Sequence, residues 1–233
     1  MKFIKSFKSF ASILLVLTML MSLLPVGVFA TETDEITVYL TLSVDGDFVT
    51  SEITGEKMAR VSITLSYFDL ADYGLEKYYR YETAENGGEY INDTLLTQPT
   101  VLHLYIKALE EYYLGTKFTL DDTSALEPSG EPTSFYMLNF WGHDENLMYF
   151  VDHEYPLMSS GWGATADYVL LEDGMEVDVA MFTSWEFYNS GYFSYFQNGD
   201  ELTVNEGETV DFKVFGASTN AWGAQEGPVQ RGS

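Results

Sequence analysis

The chain has 233 residues, with 36 acidic side chains against 11 lysines and arginines and a formal net charge of −25 at pH 7. So few cations exclude nucleic acid as a partner, because lysine and arginine supply most of the affinity for a phosphate backbone. The absence of cysteine excludes disulfide scaffolds, thiol nucleophiles and cysteine-ligated zinc. With 46% hydrophobic and 16% aromatic residues, the chain is predicted to form a packed core.

Residues 1–30 predict a secretory signal peptide. Three lysines open the segment, and an apolar run follows from Ala11 to Leu24, before Pro25. Val28 and Ala30 are small residues at the positions that a signal peptidase reads, so we place cleavage after Ala30. The competing interpretation is an uncleaved membrane anchor, because the uncharged stretch is long enough to span a bilayer. Cleavage predicts a secreted or cell-surface protein without a membrane span, whose 8 basic and 36 acidic residues give a net charge of −28.

Alternating apolar and polar residues predict two strands at the start of the mature chain. The first is Ile36–Val44, and the second is Ala59–Leu65. Asp45-Gly46 marks a tight turn directly after the first strand. The tyrosine-rich piece 78–81 is a further strand candidate.

One helix is predicted, at Val101–Leu114. Thr100 is a capping residue, Pro99 keeps the preceding chain extended, and Gly115 ends the helix. Apolar residues recur at helical spacing between these limits. A single helix between groups of strands favours an α+β fold, in which the helix packs on one face of a mixed sheet.

After the helix the pattern returns to short strands. A turn at Glu172-Asp173-Gly174 separates the last two of them. The predicted strands are Phe135–Phe140, Leu147–Asp152, Asp167–Leu171 and Glu176–Thr183. We therefore place one domain at about residues 35–184.

Residues 185–216 predict a short C-terminal β extension. Glu201–Val204 and Thr209–Phe215 are its two strand candidates. They extend the first domain or begin a truncated immunoglobulin-like module, because two strands alone bury no face. The rest, residues 217–233, is a polar tail. Whether the chain is a fragment of a longer multi-module protein stays open, as does its oligomeric state.

Three segments resemble the transcobalamin C-terminal-like domain. Leu147-Met-Tyr-Phe-Val-Asp-His153 resembles the family's Trp-x-Tyr-x-Val-Asn-Gly strand and turn. Tyr168-Val-Leu-Leu-Glu-Asp-Gly174, followed by Val177, resembles its Leu-x-Asp-Gly-Asp-x-Val strand, turn and strand. The helix from Pro99 to Leu109 is similar to its Thr-Val-Leu-x-Ala-Leu helix. The order agrees over residues 36–183, and the departures are Leu147 for Trp, Asp152-His153 for Asn-Gly and Met175 for Asp.

The resemblance implies a β-grasp-like fold, a mixed sheet packed on one helix. In animal cobalamin carriers this domain closes over a corrinoid held against a separate helical barrel, so the resemblance also admits a corrinoid-like ligand. Many bacterial copies occur on exported surface proteins, and an acidic exported chain without cysteine is common in Gram-positive bacteria such as Firmicutes.

No motif indicates catalysis, a cofactor or a metal. The serines lie in no Gly-x-Ser-x-Gly elbow, and no phosphate-binding glycine loop occurs. His143 and His153 flank one strand beside several acids, but their spacing matches no metal signature. His103, in the first turns of the helix, is interpreted as structural. We predict a protein that is not an enzyme and that needs no cofactor.

Aromatic residues in loops supply the candidate binding site. Flat aromatic faces stack on sugars and on planar ligands. If loops 141–146 and 155–163 meet at one end of the sheet, they form a ligand-binding cluster of Trp141, His143, Tyr149 and Trp162. The alternative is that Trp141 belongs to the core or covers the sheet, and this is the interpretation that we favour for the aromatic run 185–196.

The sequence thus predicts a non-catalytic extracellular or cell-surface binding module. A glycan or a protein is the expected partner. The alternatives are capture of a corrinoid-like small molecule and a structural spacer in a longer surface protein.

The signal peptide is tested by secreting the full chain from a Gram-positive host. We expect intact-mass analysis of the secreted protein to place its first residue at Thr31. Ala30→Lys should block processing, because the peptidase accepts only a small residue before the cut. A secreted wild-type protein that keeps residues 1–30 would contradict the assignment.

Overall fold

A computed structural model of the chain describes residues 35–78, 98–130, 135–158, 161, 163–185, 192–196, 203–211, 213–218 and 227–228. The predicted signal peptide, Trp162 and most of the piece 78–81 lie outside these ranges. The strands are β1 Ile36–Val44, β2 Asp47–Phe48, β3 Val61–Leu65, β4 Leu126–Ser129, β5 Tyr136–Phe140, β6 Asn146–Val151, β7 Glu176–Phe182, β8 Tyr192–Phe196, β9 Val214–Ser218 and β10 Gly227–Pro228. The helix α1 spans Val101–Ala108, after 3-10 turns at Leu70–Tyr73 and Glu76–Tyr78. The class is α+β, as predicted.

The main sheet is built round a parallel pair of strands. β1 pairs with β7 from Tyr39 opposite Glu176 to Val44 opposite Met181. β2 and β3 pair antiparallel with β1 along its other edge, and β6 pairs antiparallel with β7. The alternation predicted for Ile36–Val44 is confirmed, and its apolar side chains enter the core that also holds α1.

Two aspartates hold the two ends of the β1–β7 pair. At one end, Thr37 N–H donates to Asp173 Oδ1 (2.8 Å), and Gly174 N–H donates to the Thr37 carbonyl (2.8 Å). At the other end, Asp45 accepts hydrogen bonds from the backbone N–H (3.0 Å) and the hydroxyl (2.8 Å) of Thr183. These bonds favour the ionised carboxylate and lower the pKa of Asp45. The predicted turns at Asp45-Gly46 and Glu172-Asp173-Gly174 therefore both supply hydrogen bonds at the ends of the β1–β7 ladder.

The predicted helix is confirmed, with a change of geometry in its second half. Thr100 is extended, α1 follows, and the chain continues as a π-helix at Leu109–Leu114 up to Gly115, whose φ of 67° ends it. Every residue of α1 except Lys107 is buried, because the helix shares one core with the main sheet, β4 and β5. None of the helices in the described ranges has the length and apolar character to cross a membrane.

His103 ties the start of α1 to the chain before it. Its Nδ1 accepts a hydrogen bond from Thr100 N–H (3.1 Å) and lies 2.8 Å from Thr100 Oγ1. Because Nδ1 is thus an acceptor, Nε2 carries the proton and donates to the Phe68 carbonyl at 3.1 Å. Burial disfavours the imidazolium and lowers the pKa of His103 to about 4. The structural interpretation of His103 is confirmed.

One predicted strand, Asp167–Leu171, is wrong. The carbonyls of Ala166 and Val169 accept hydrogen bonds from the first N–H groups of α1, those of Leu102 (2.9 Å) and Val101 (3.0 Å). A helix leaves its first N–H groups without partners inside the helix. The carbonyls of this segment accept hydrogen bonds from those N–H groups, and the segment does not form the predicted strand.

The C-terminal strands form a sheet of their own. β8, β9 and β10 are antiparallel in the order β10-β9-β8. Phe193 stacks on Phe150 (5.1 Å between ring centroids) and Tyr195 on His153 (4.0 Å), so this sheet packs on the main one and does not extend it.

The strand limits near the C-terminus also differ from prediction. The described residues 203 and 204 of the first candidate strand are irregular, and the second strand begins only at Val214. β10 lies in the segment expected to be a polar tail. Within the described residues, β9 pairs with β8 on one edge and with β10 on the other.

The buried His103 predicts a pH-dependent stability. The unfolded histidine takes up a proton near pH 6.5 and the folded one only near pH 4. Folding stability is therefore full above pH 6.5 and falls as the pH decreases toward 4, by roughly 2–3 kcal/mol from this group. His103→Gln keeps an acceptor for Thr100 N–H and does not titrate. Denaturant unfolding at pH 7, 5.5 and 4 should show a shallower loss in the variant, and equal slopes would contradict the prediction.

Candidate functional site

A groove of about 490 Å³ opens between β5 and β6. The two strands are consecutive, but β5 pairs with β4 and β6 pairs with β7, so they diverge. Trp141 and Gly142, with φ of 56° and 77°, make the turn that redirects the chain. The described residues lining this β5–β6 groove are Phe135–Leu138, Asp144–Tyr149, Tyr155, Gly163–Ala166, Phe182 and Trp185. Its volume falls in the range of small-ligand sites.

Apolar and aromatic side chains form the rim of the groove. β5 alternates, so that Phe135 is buried while Tyr136 and Leu138 are 54% and 46% exposed. Trp185 also lines the groove and is 58% exposed, with its ring centroid 6.0 Å from that of Phe182. Exposed aromatic rings beside a concavity offer flat faces for stacking.

The floor of the groove is polar, and its polar groups are hydrogen-bonded within the protein. The Tyr149 hydroxyl donates to the Ala164 carbonyl (2.7 Å), and the Thr165 hydroxyl donates to Asp167 Oδ1 (2.5 Å). Tyr149 and Asp167 are buried, and burial raises the pKa of Tyr149 well above its ordinary value. These groups hold the segment Gly163–Ala166 against β6, and the Tyr149 hydroxyl stays protonated at neutral pH.

One further polar atom lies in the core beside this floor. The Tyr105 hydroxyl of α1 is fully buried and makes no hydrogen bond with the described residues. The rings of Tyr105 and Tyr149 meet edge to face, with centroids 6.4 Å apart. Burial raises the pKa of Tyr105, so this hydroxyl is neutral as well.

Carboxylates stand at the end of the groove where β6 begins. Asp144 is exposed and Glu145 is partly exposed. Glu145 Oε2 is buried, makes no hydrogen bond with the described residues and lies 3.3 Å from His143 Nδ1. This end of the groove therefore presents negative charge, with the His143 imidazole beside one of the two carboxylates.

The structure separates the predicted binding cluster. Trp141 is 2% exposed and packs on Tyr113 at 5.3 Å, so its ring belongs to the core and offers no face to a ligand. Tyr149 is buried and contacts the groove only at its floor. His143 is not one of the lining residues, but its Nδ1 lies 3.3 Å from Oε2 of Glu145, which is. Trp162 lies outside the described residues. The loops expected to meet do so in part, since Asp144–Asn146, Tyr155 and Gly163 line the same groove.

His153 lies in a different environment from His143. Its ring nitrogens approach Glu176 Oε2 (3.7 Å) and Asp178 Oδ2 (3.4 Å), and Tyr195 covers its face. Arg60 pairs with the other oxygen of Glu176 at 2.9 Å. In the part of the chain that the structure describes, no three histidine or acidic residues are grouped to hold a metal ion.

Sequence reasoning missed Tyr136, Leu138 and Trp185 as candidate site residues. Tyr136 and Leu138 follow from the alternation in Phe135–Phe140, which places them opposite buried Phe135. Trp185 was interpreted, with the run 185–196, as part of the core or as cover for the sheet. Phe193 and Tyr195 do cover the sheet, whereas Trp185 is exposed.

Comparison with known proteins gives no relative of this chain. No protein family, no curated protein and no solved structure matches it. The resemblance to the transcobalamin C-terminal-like domain stays a prediction, and the groove is interpreted from its own chemistry.

Gly163 tests the fit of the groove wall. A Cβ at this position would overlap the Tyr155 hydroxyl and lie 3.0 Å from two atoms of its ring. Gly163→Ala should destabilise the fold by about 1–3 kcal/mol, because a packed site does not accept an added methyl group without displacement. Urea unfolding measures the loss. Tyr155→Phe removes the overlapping oxygen, so the double variant should lose less than the two single effects combined. Additive losses would show that the two residues do not meet.

Proposed function

We propose that the protein is a non-catalytic binding module, exported or displayed at the cell surface, and that its ligand lies in the β5–β6 groove. The observation that carries the proposal is that two exposed rings, Tyr136 and Trp185, line one largely apolar groove that has carboxylates at one end. Binding sites of this kind combine apolar walls with a few polar groups that fix orientation.

The state of the polar groups supports binding over catalysis. The Tyr149 hydroxyl is engaged with the Ala164 carbonyl, and its raised pKa makes it a poor proton donor at neutral pH. Asp167 is engaged with Thr165 below the floor. A general acid or base works best with a pKa near the operating pH.

We further propose that the main domain has a β-grasp-like fold. The order of elements supports this: a strand pair β1–β3, then α1, then β6, and a last strand β7 parallel to β1 in the middle of the sheet. The segments similar to the transcobalamin C-terminal-like domain lie on α1, on β6 and at the Asp173-Gly174 turn before β7.

Export is supported by features outside the groove. The first thirty residues have the basic, apolar and small-residue zones of a secretory signal. A net charge of −25 favours solubility, and a fold without cysteine does not depend on the redox state of its compartment.

Replacing a rim ring should weaken ligand binding. We expect Trp185→Ala or Tyr136→Ala to reduce affinity at least about tenfold for ligands found on glycan and peptide arrays, because exposed aromatic anchors dominate binding energy. The secreted protein serves as the sample, and calorimetry follows the titration, so that the readout does not depend on Trp185. Phe48→Ala is the matched control, since Phe48 is 47% exposed and does not line the groove.

The outcomes separate the candidate functions. Array ligands that bind both rim variants as well as Phe48→Ala would place the site elsewhere and overturn the proposal. Calorimetric titration with cobalamin and cobinamide tests the corrinoid alternative, which requires micromolar binding that Tyr136→Ala abolishes. A structural spacer predicts no groove-dependent ligand in either experiment.

A further inference from the structure

The charge of the β5–β6 groove is of one sign. Of the described residues that line it, Asp144 and Glu145 are charged, and none is lysine or arginine. The chain as a whole carries −25, or −28 after loss of the predicted leader. A cleft lined by one sign of charge in a molecule of the same sign attracts ligands of the opposite sign and speeds their arrival.

The groove also runs along strand edges. Four consecutive residues of each wall line it, Phe135–Leu138 on one side and Asn146–Tyr149 on the other. Because successive side chains of a strand point to opposite faces, such a run indicates an edge and not a face. Within the described ladders β5 pairs only with β4 and β6 only with β7. An edge strand offers its backbone groups to another extended chain.

We propose that the β5–β6 groove holds an extended cationic segment of a partner protein, whose arginine or lysine side chains meet the carboxylates of Asp144 and Glu145. This inference rests on the proposed function and names its partner class. The backbone of the segment lies along β5 or β6 as an added strand. Its basic side chains reach the acidic end of the groove, and its apolar ones face Leu138 and Met148.

Three features of the groove match arginine in particular. The exposed rings of Trp185 and Tyr136 accept a guanidinium over their faces. The aliphatic stem packs on apolar walls while the head remains in contact with water. The carboxylates of Asp144 and Glu145, which line the groove, accept charge-assisted hydrogen bonds from the guanidinium. The same chain already places Arg60 over the Tyr39 ring at 4.0 Å while it pairs with Glu176.

The test uses a fluorescein-labelled ten-residue peptide of alternating arginine and valine, and the secreted protein. The control peptide has citrulline in place of arginine, which keeps the planar shape and removes the charge. The variant is Asp144→Asn with Glu145→Gln. Its matched control is Asp47→Asn with Glu52→Gln, which removes the same charge from exposed residues that do not line the groove. Chitohexaose represents a neutral glycan, and Trp185→Ala reports use of the groove.

The proposal expects the arginine peptide to bind at least tenfold more tightly than the citrulline peptide. The Asp144→Asn, Glu145→Gln variant should bind the arginine peptide at least tenfold more weakly than the wild-type protein does. The Asp47→Asn, Glu52→Gln variant should lose less than twofold, and the circular dichroism spectra of both variants should be unchanged. Equal losses from the two pairs would show diffuse attraction by net charge and overturn the proposal, as would equal binding of the two peptides.

Failure of this inference is distinguishable from failure of the proposed function. If chitohexaose binds in a manner that needs Trp185 while the arginine peptide does not, the groove is a glycan site and only the cationic partner is wrong. If no probe depends on Trp185, the groove is not the binding site and both proposals fall.

Discussion

The parallel ladder between β1 and β7 is the interaction on which the rest of the structure depends. Thr37 and Asp173, which meet at its end, are 136 residues apart, so the ladder closes nearly the whole described domain. Closing a loop of this length costs entropy that local contacts do not recover. Side-chain bonds from Asp173 and Asp45 at the two ends, together with apolar side chains packed on α1, offset that cost. Once β7 is in place, β6 pairs with it, and the position of β6 defines the groove.

The groove exists because two consecutive strands do not pair. A left-handed turn at Trp141 and Gly142 sends β5 to β4 and β6 to β7. The buried ring of Trp141 holds this turn against Tyr113 of the π-helical segment. A tryptophan that sequence reasoning placed in the site thus shapes the site from the core.

Local patterns predicted the local elements and not their assembly. Ile36–Val44 and the helix from Val101 to Gly115 follow from alternation and from capping residues, which act within a few positions. The strand at Asp167–Leu171 was wrong because a distant group, the start of α1, uses its carbonyls. The groove joins six separate stretches of the chain, from Phe135 to Trp185, and no short window of sequence contains them together. Only the outward alternation of Tyr136 and Leu138 was available beforehand.

The parallel direction of β1 and β7 has a mechanical consequence. The chain enters the pair at the start of β1 and leaves it at the end of β7, which lies at the opposite end of the ladder. Tension between the N-terminus and a point just beyond Phe182 would load the hydrogen bonds of all the paired positions together, in shear. An antiparallel pair such as β6–β7, pulled at its two adjacent ends, opens one bond after another, so the parallel ladder is the part of the sheet that resists tension best.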